Sequence, residues 1–105
     1  MAYKVRHSPE SKKDLVGILD YLTEVLFAPW AACRFSNELE LCYQRLLENP
    51  MIYSFCEDDI LAAKGFRRAP VMRYLVFYTV EEEQKIVRIH RIFHGARNYV
   101  ELIES

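Results

Sequence analysis

The stretch MRYLVFYTVEEEQKIVRIHRIF, residues 72–93, contains two apolar segments separated by a short acidic run. Apolar residues occupy both odd and even positions of residues 72–80, which is typical of a strand buried on both faces in the middle of a sheet. Residues 85–93 predict a returning strand, and the run EEEQ at 81–84 is the turn between the two. Because so short a turn cannot cross over to a parallel partner, the two strands are predicted to be antiparallel.

Two amphipathic helices are predicted upstream of this hairpin. Ser8 can cap the first helix, whose apolar residues repeat at spacings of three and four to about residue 27. A second segment with the same periodicity covers residues 30–48, and Pro50 follows its end. The short break between the two segments predicts a helical hairpin.

The remaining segments complete a single domain over residues 1–105. Residues 2–7 alternate between apolar and charged side chains and predict a first strand, while residues 51–63 predict a loop with about one turn of helix. Residues 65–71 predict a short edge strand, because Pro70 cannot donate to a sheet ladder. The fold class is therefore α+β, in the order β-α-α-β-β-β. The N-terminal strand and the helical hairpin pack on one face of a mainly antiparallel twisted sheet, whose other face stays partly open.

Positive charge is concentrated in the C-terminal part of the chain. The formal net charge is −1, yet residues 64–97 carry eight Lys and Arg against three Glu. We expect the strand arginines to converge on one accessible face, where guanidinium groups would bind phosphate or another anion. If Arg88 and His90 point outward, Arg91 points toward the core, and the sequence alone does not show which of these two alternations of the strand is exposed. The candidates for target or phosphate binding are Arg67, Arg68, Arg73 and Arg88.

A second group of candidates lies at the end of the last strand. His94 and Tyr99 could move or steer a proton, and Arg91 and Arg97 could stabilise negative charge developing on phosphorus. Together they would form a metal-free ribonuclease site, although the same cations could equally be a solvated sheet face. No His, Cys, Asp or Glu set has metal-ligand spacing, and the three cysteines form no C-x-x-C pair. We therefore expect no metal and no cofactor.

The sequence also bears on location. Its apolar runs are far shorter than the roughly 20 residues that a membrane-spanning helix needs. The N-terminus lacks the apolar core of a signal peptide. These features favour a cytoplasmic protein with no membrane partner.

Residues 65–103 resemble the C-terminal half of the RelE/ParE superfamily, the toxin components of bacterial type II toxin–antitoxin systems. The resemblance is carried by the strings RRAPV, YLVFY and HGARNY, which are closer to ParE-like and plasmid-stabilisation members than to RelE-like ones. It extends over nearly the whole chain, because an N-terminal pattern is also typical of the superfamily. That pattern consists of Ser8, Pro9, Glu10, Asp14, Leu15, Ile18 and Tyr21.

The resemblance implies a growth-inhibiting toxin of an addiction module, neutralised by a cognate antitoxin with which it could form a hetero-oligomer. The antitoxin would dock on the helical hairpin and the open sheet face. ParE-like members inhibit DNA gyrase, and this target is favoured because a pI of about 6.3 gives little attraction for ribosomal RNA. RelE-like members are mRNA interferases, which cleave mRNA on the ribosome, and Arg91, His94, Arg97 and Tyr99 would be catalytic only in that case. A third alternative is an inactive relative that binds only its antitoxin.

Overall fold

The computed structural model describes residues 2–95 and 97–104. Four strands form one sheet in the order β1-β4-β3-β2, in which β1 is parallel to β4 and the other pairs are antiparallel. The predicted α+β order and antiparallel hairpin are confirmed, and the described part of the chain ends in a short helix. The elements are β1 Lys4–His7, α1 Pro9–Asp20, α2 Pro29–Glu48, α3 Asp59–Ala63, β2 Arg67–Val71, β3 Tyr74–Glu81, β4 Ile86–His94 and α4 Tyr99–Glu104.

The helical hairpin begins at a capped N-terminus and turns at an irregular tip. Ser8 Oγ accepts a hydrogen bond from the Ser11 N–H at 3.0 Å, as predicted for the cap of α1. The first helix was predicted to reach about residue 27, but its last part widens into a π-helical turn at Tyr21–Val25. Phe27 then adopts a left-handed backbone, with φ of 51°, and leads the chain into α2.

Each face of the sheet has its own apolar core. The α1–α2 hairpin covers one face, called the helix face, with a large core that excludes water. The opposite face carries a smaller core, to which α3 contributes Leu61 and α4 contributes Tyr99 and Val100. This opposite face was predicted to be partly open, and the two short helices cover more of it than expected. Fully buried residues of the helix face include Phe35, Leu46, Val76, Tyr78, Val87 and Ile89.

A β-bulge interrupts β4. The consecutive β3 residues Phe77 and Tyr78 pair with Arg91 and Ile89, so that His90 is an extra residue on β4. Such an insertion reverses the alternation of the side chains that follow it. The simple period of two that the sequence predicts for residues 85–93 therefore holds only within each half of the strand.

The bulge decides which arginines share a face. Arg88 pairs with Thr79 and Arg91 pairs with Phe77, and residues directly opposite each other in a ladder point to the same side. Because Thr79 and Phe77 are two positions apart on β3, both arginines lie on the opposite face. The sequence alone left open which of the two arginines would turn toward the core. The bulge interrupts the alternation, so both point away from the core of the helix face.

The outer neighbour of β4 changes along its length. β1 pairs only with residues 86–89 of β4. Beyond that point the chain of α1 supplies the missing partners: Ser8 Oγ donates to the His90 carbonyl at 2.7 Å, and Asp14 Oδ2 accepts from the Ile92 N–H at 3.0 Å. The second half of β4 therefore has a helix, and not a strand, along its outer edge.

Candidate functional site

A groove of about 570 Å³ lies between α1 and the C-terminal half of β4. It exists because α1, unlike a strand, stands away from the sheet and leaves a gap at this end. Ile18, Ile92 and Phe93 give it apolar walls, and Gly17 adds no side chain to fill it. The polar and aromatic residues that line it are Lys13, Asp14, Tyr21, Tyr74, His94 and Arg97.

Two of the four predicted catalytic residues line this groove. The His94 ring packs edge-on against Tyr74, with the ring centroids 5.5 Å apart. The Arg97 guanidinium lies 5.4 Å from the centroid of the Phe93 ring. Both side chains are exposed, so a ligand in the groove could reach them.

The other two predicted catalytic residues do not line the groove. The Arg91 guanidinium donates two hydrogen bonds to the Asp14 carboxylate, at 2.8 and 3.0 Å, and these bonds raise the pKa of Arg91. The Tyr99 ring packs against Phe77 on the opposite face, with centroids 4.6 Å apart. The four predicted catalytic residues therefore do not meet at one point, and the Asp14 carboxylate compensates the charge of Arg91.

Two of the predicted phosphate-binding arginines are paired with carboxylates. Arg68 binds Glu57 at 3.1 Å, and Arg88 binds Glu81 at 2.5 Å. The bond to Arg88 lowers the pKa of the Glu81 carboxyl, so this carboxylate stays charged to a lower pH than usual. Each pair neutralises an arginine that the sequence analysis had counted as available to bind an anion.

The other two arginines of that set point elsewhere. Arg67 pairs with Tyr78, which is buried in the core of the helix face, and directly paired residues point to the same side of a sheet. Arg67 therefore points to the helix face. Its guanidinium donates to the Tyr53 carbonyl at 2.7 Å and stacks 3.8 Å above the Phe55 ring. Arg73 is exposed in the turn between β2 and β3. The prediction of one shared arginine surface was wrong, because strand alternation divides the set and carboxylates from distant segments pair with its members.

Sequence reasoning did not assign Asp14 or Tyr21 to a site. Both lie on the side of the first helical segment that faces the groove. The signal was present in their spacing, because positions 14, 18 and 21 lie on one side of a helix. Asp14 could be found in this way as a groove residue, but its pairing with Arg91 depends on the three-dimensional fold.

The His90 side chain, at the bulge, contacts neighbouring residues of the fold. Its Nε2 shares a hydrogen bond of 2.8 Å with Thr79 Oγ1, and its ring lies 4.8 Å from the Phe66 ring. Burial lowers the pKa of His90, and the nearby Arg88 guanidinium adds to this effect. His90 therefore contributes to the fit between β3 and β4 and does not line the groove.

Neither a metal centre nor a membrane span is visible in the described part of the chain. Within residues 2–95 and 97–104, no group of three His, Cys, Asp or Glu is placed to hold a metal ion. No helix among these residues combines the length and the apolar content that crossing a bilayer requires.

Comparison with known proteins identifies the family. One protein-family model, described as the ParE toxin of the type II toxin–antitoxin system parDE, matches residues 5–99. The chain belongs to the ParE toxin family. The match to the ParE family includes most of β1, all of the other three strands and both walls of the groove. No curated protein sequence matches the chain.

Solved structures of toxin–antitoxin systems share the ParE-family fold seen here. The chromosomal ParDE system of P. aeruginosa matches with a TM-score of 0.68 and 17% identity, over 88% of this chain and 95% of that one. The RelBE2 complex of Mycobacterium tuberculosis gives 0.64 and 19%, over 90% and 99%. The archaeal RelE–RelB complex of Pyrococcus horikoshii OT3 gives 0.52 and 20%, over 92% and 99%. At these identities the likeness shows a common fold.

Proposed function

We propose that this chain is the toxin of a type II toxin–antitoxin module, that it inhibits bacterial growth by poisoning DNA gyrase in the cytoplasm, and that a cognate antitoxin neutralises it. The observation that carries the proposal is the ParE family match over residues 5–99. Membership of the family supports the toxin assignment directly. The choice of gyrase over the ribosome depends on the additional observations below.

The pairing of the cations favours a binding role over RNA cleavage. A metal-free ribonuclease needs cationic groups aimed at the charge that develops on phosphorus. Arg91 is instead held by Asp14, and Tyr99 packs on the opposite face of the sheet. A net charge of −1 also gives little long-range attraction for ribosomal RNA.

An antitoxin is the second component of the proposal. Two of the matched structures are named as a toxin–antitoxin complex and a RelE–RelB complex, which supports a partner of this kind and a hetero-oligomer. The tip of the helical hairpin supplies a docking surface, since Phe27 is 76% exposed and Trp30 is 71% exposed. Exposed aromatic side chains of this size are typical anchors of protein interfaces.

The groove supports a second candidate function, ribosome-dependent mRNA cleavage. Tyr21 and Tyr74 could stack on a base, and Lys13 and Arg97 could contact its phosphates. His94 lines the same groove and could transfer a proton. These residues would make a nucleotide site even though Arg91 and Tyr99 do not contribute to it.

The two functions are separated by one pair of assays on the purified protein. Gyrase and plasmid DNA are incubated with the protein, and gyrase-dependent double-strand cleavage is measured. The same preparation is added to translating ribosomes, and mRNA cleavage is mapped. We expect increased gyrase-dependent DNA cleavage and intact mRNA, whereas the reverse pattern would reject the gyrase assignment. A protein inactive in both assays that still binds its antitoxin would correspond to the third alternative.

Variants of the predicted catalytic residues provide an independent prediction. We expect His94→Ala and Tyr99→Phe to retain growth inhibition, because gyrase binding needs no proton transfer. If the groove were a nuclease site, His94→Ala would lower activity by about 10²–10⁴-fold, whereas Tyr99→Phe would have little effect because Tyr99 does not line the groove. Tyr99→Phe keeps the ring that packs on Phe77, so its effect reports on the hydroxyl group. Growth inhibition is measured after induced expression, with circular dichroism confirming that each variant is folded.

A further inference from the structure

Among residues 2–95 and 97–104, no strand lies beside the outer edge of β1. β1 is the last strand on its side of the sheet, and within the described residues it pairs only with β4. The N–H groups of Lys4 and Ser8 point toward β4 and donate to the carbonyl groups of Lys85, just before β4, and of Ile89, both at 2.9 Å. Since backbone groups alternate in direction along a strand, those of Val5 and His7 point away from the sheet. An extended chain could pair with them.

The side chains beside this edge carry positive charge on one side. A cleft of about 520 Å³ is lined by Lys4, Arg6 and Lys85. The ion pairs of the described residues include none of these three cations. Arg6 instead donates through Nη1 to the Val5 carbonyl at 3.2 Å, one of the outward-pointing backbone groups. Lys85 Nζ lies 4.9 Å from the centroid of the Tyr3 ring. None of these contacts supplies a negative charge, so the three cations can attract an acidic ligand that approaches the edge.

The other side of the same edge is apolar. Tyr3 and Val5 are half-buried and pack against the core of the helix face. A chain that extended the sheet would have its side chains alternately beside Lys4 and Arg6 and beside Tyr3 and Val5. The edge thus specifies both the backbone conformation and the side-chain pattern of a partner.

We propose that the outer edge of β1 binds an extended segment of a partner protein, with acidic residues at alternate positions and apolar residues between them. The segment would add a fifth strand to the sheet. The proposal rests on the proposed function in one respect: it takes the antitoxin to be the protein that supplies the segment.

Two other occupants fit the edge less well. A second copy of this chain would place Lys4 and Arg6 opposite the same cations, and like charges directly opposite each other destabilise a strand pair. A nucleic acid could neutralise the cations, but its phosphates accept hydrogen bonds and cannot donate one to the outward Val5 carbonyl. An acidic peptide strand satisfies both the charges and the backbone groups.

The test uses the full chain and a blocked peptide of alternating Glu and Val as the probe. Nuclear magnetic resonance follows amide hydrogen exchange during a titration with the peptide. We expect exchange at Val5 and His7 to slow, because those N–H groups gain partners, while Arg6 changes little because its N–H faces β4. A peptide of alternating Lys and Val and a short oligothymidylate are the controls. Unchanged exchange at Val5 and His7, or equal protection by either control, would overturn the proposal.

Charge reversal gives a second, independent readout. The double variant Lys4→Glu/Arg6→Glu should lose about tenfold in affinity for the Glu-Val peptide and gain affinity for the Lys-Val peptide. Lys64→Glu, a reversal of an exposed cation outside the cleft, should leave both affinities unchanged. Retained binding of the Glu-Val peptide by the double variant would contradict the role of the cations.

The outcomes separate this proposal from the proposed function. Wild-type protein that increases gyrase-dependent DNA cleavage but binds no peptide would reject only the edge site. Protein that binds the peptide at β1 but affects neither gyrase nor mRNA would reject only the toxin mechanism.

Discussion

The first half of β4, residues 86–89, lies between two strands, whereas the second half, residues 91–94, lies between β3 and helix α1. In the first half Val87 and Ile89 are fully buried in the core of the helix face. In the second half the strand forms one wall of the groove and ends at the exposed His94. The comparison teaches that one strand can stabilise the sheet along one half and, at the end of the other half, leave a side chain accessible to a ligand.

The largest effect that tests this comparison is expected in the first half. Ile89→Ala removes a fully buried side chain and should lower the free energy of unfolding by about 2–5 kcal/mol. His94→Ala, at the exposed end of the second half, should change it by less than about 1 kcal/mol. Urea denaturation measures both values. Equal losses for the two variants would contradict the contrast between the buried first half of β4 and its exposed end at His94.

A smaller effect is expected where α1 holds the second half of the strand. Asp14→Ala removes the partner of the Arg91 guanidinium and of the Ile92 N–H, and should cost about 2–4 kcal/mol. The matched control is Glu57→Ala, which breaks an ion pair whose carboxylate side chain is 82% exposed and should cost less than about 1 kcal/mol. Amide exchange at Ile92 should also become faster in Asp14→Ala. If both variants lost equally little, the helix would not be holding the strand in place.

The smallest effect is expected at the bulge between the halves, as a dependence of stability on pH. Burial, aided by Arg88, lowers the pKa of His90, although the carboxylates of Glu81 and Glu10 oppose this. The folded chain therefore binds a proton less readily than the unfolded chain, whose histidine pKa is about 6.5. The resulting stability is present above that pH and is lost progressively as the pH falls below it.

The measurement compares the free energy of unfolding at about pH 7.5 and about pH 5.5. We expect the wild-type protein to be less stable at the lower pH, and His90→Gln to show a smaller difference. Burial also lowers the pKa of His7, so part of the pH dependence should remain in that variant. An unchanged pH dependence in His90→Gln would show that the imidazole at the bulge is not the group responsible.

The elements were predictable because their signals are local. A cap at Ser8, apolar spacings of three and four, and a double-faced apolar segment at residues 72–80 each depend on neighbouring residues. The bulge at His90 was not predictable in this way. Apolar residues occur at both odd and even positions of 86–93, so the pattern shows no break in the alternation, and no Gly or Pro marks the bulge.

The candidate site was predicted less completely because its geometry depends on distant residues. The sequence brought His94 and Arg97 to attention, and both line the groove. It could not indicate that Arg91 pairs with Asp14, which is 77 positions away in the chain. Counting charges along a segment overestimates the charge available to a ligand when the fold supplies the counter-ions from elsewhere.

The π-helical turn at Tyr21–Val25 has a consequence for how related chains could diverge. Such a turn contains one residue more than an α-helical turn, and one residue of an α-helix corresponds to about 100° of rotation. Deleting a single residue there would restore regular winding and swing Phe27 and Trp30 to another side of the hairpin, without disturbing Ser8 or Asp14 at the sheet. The loss of one codon could thus redirect the aromatic tip toward a new partner while Lys13, Asp14 and Ile18, which precede the turn, kept their places in the groove.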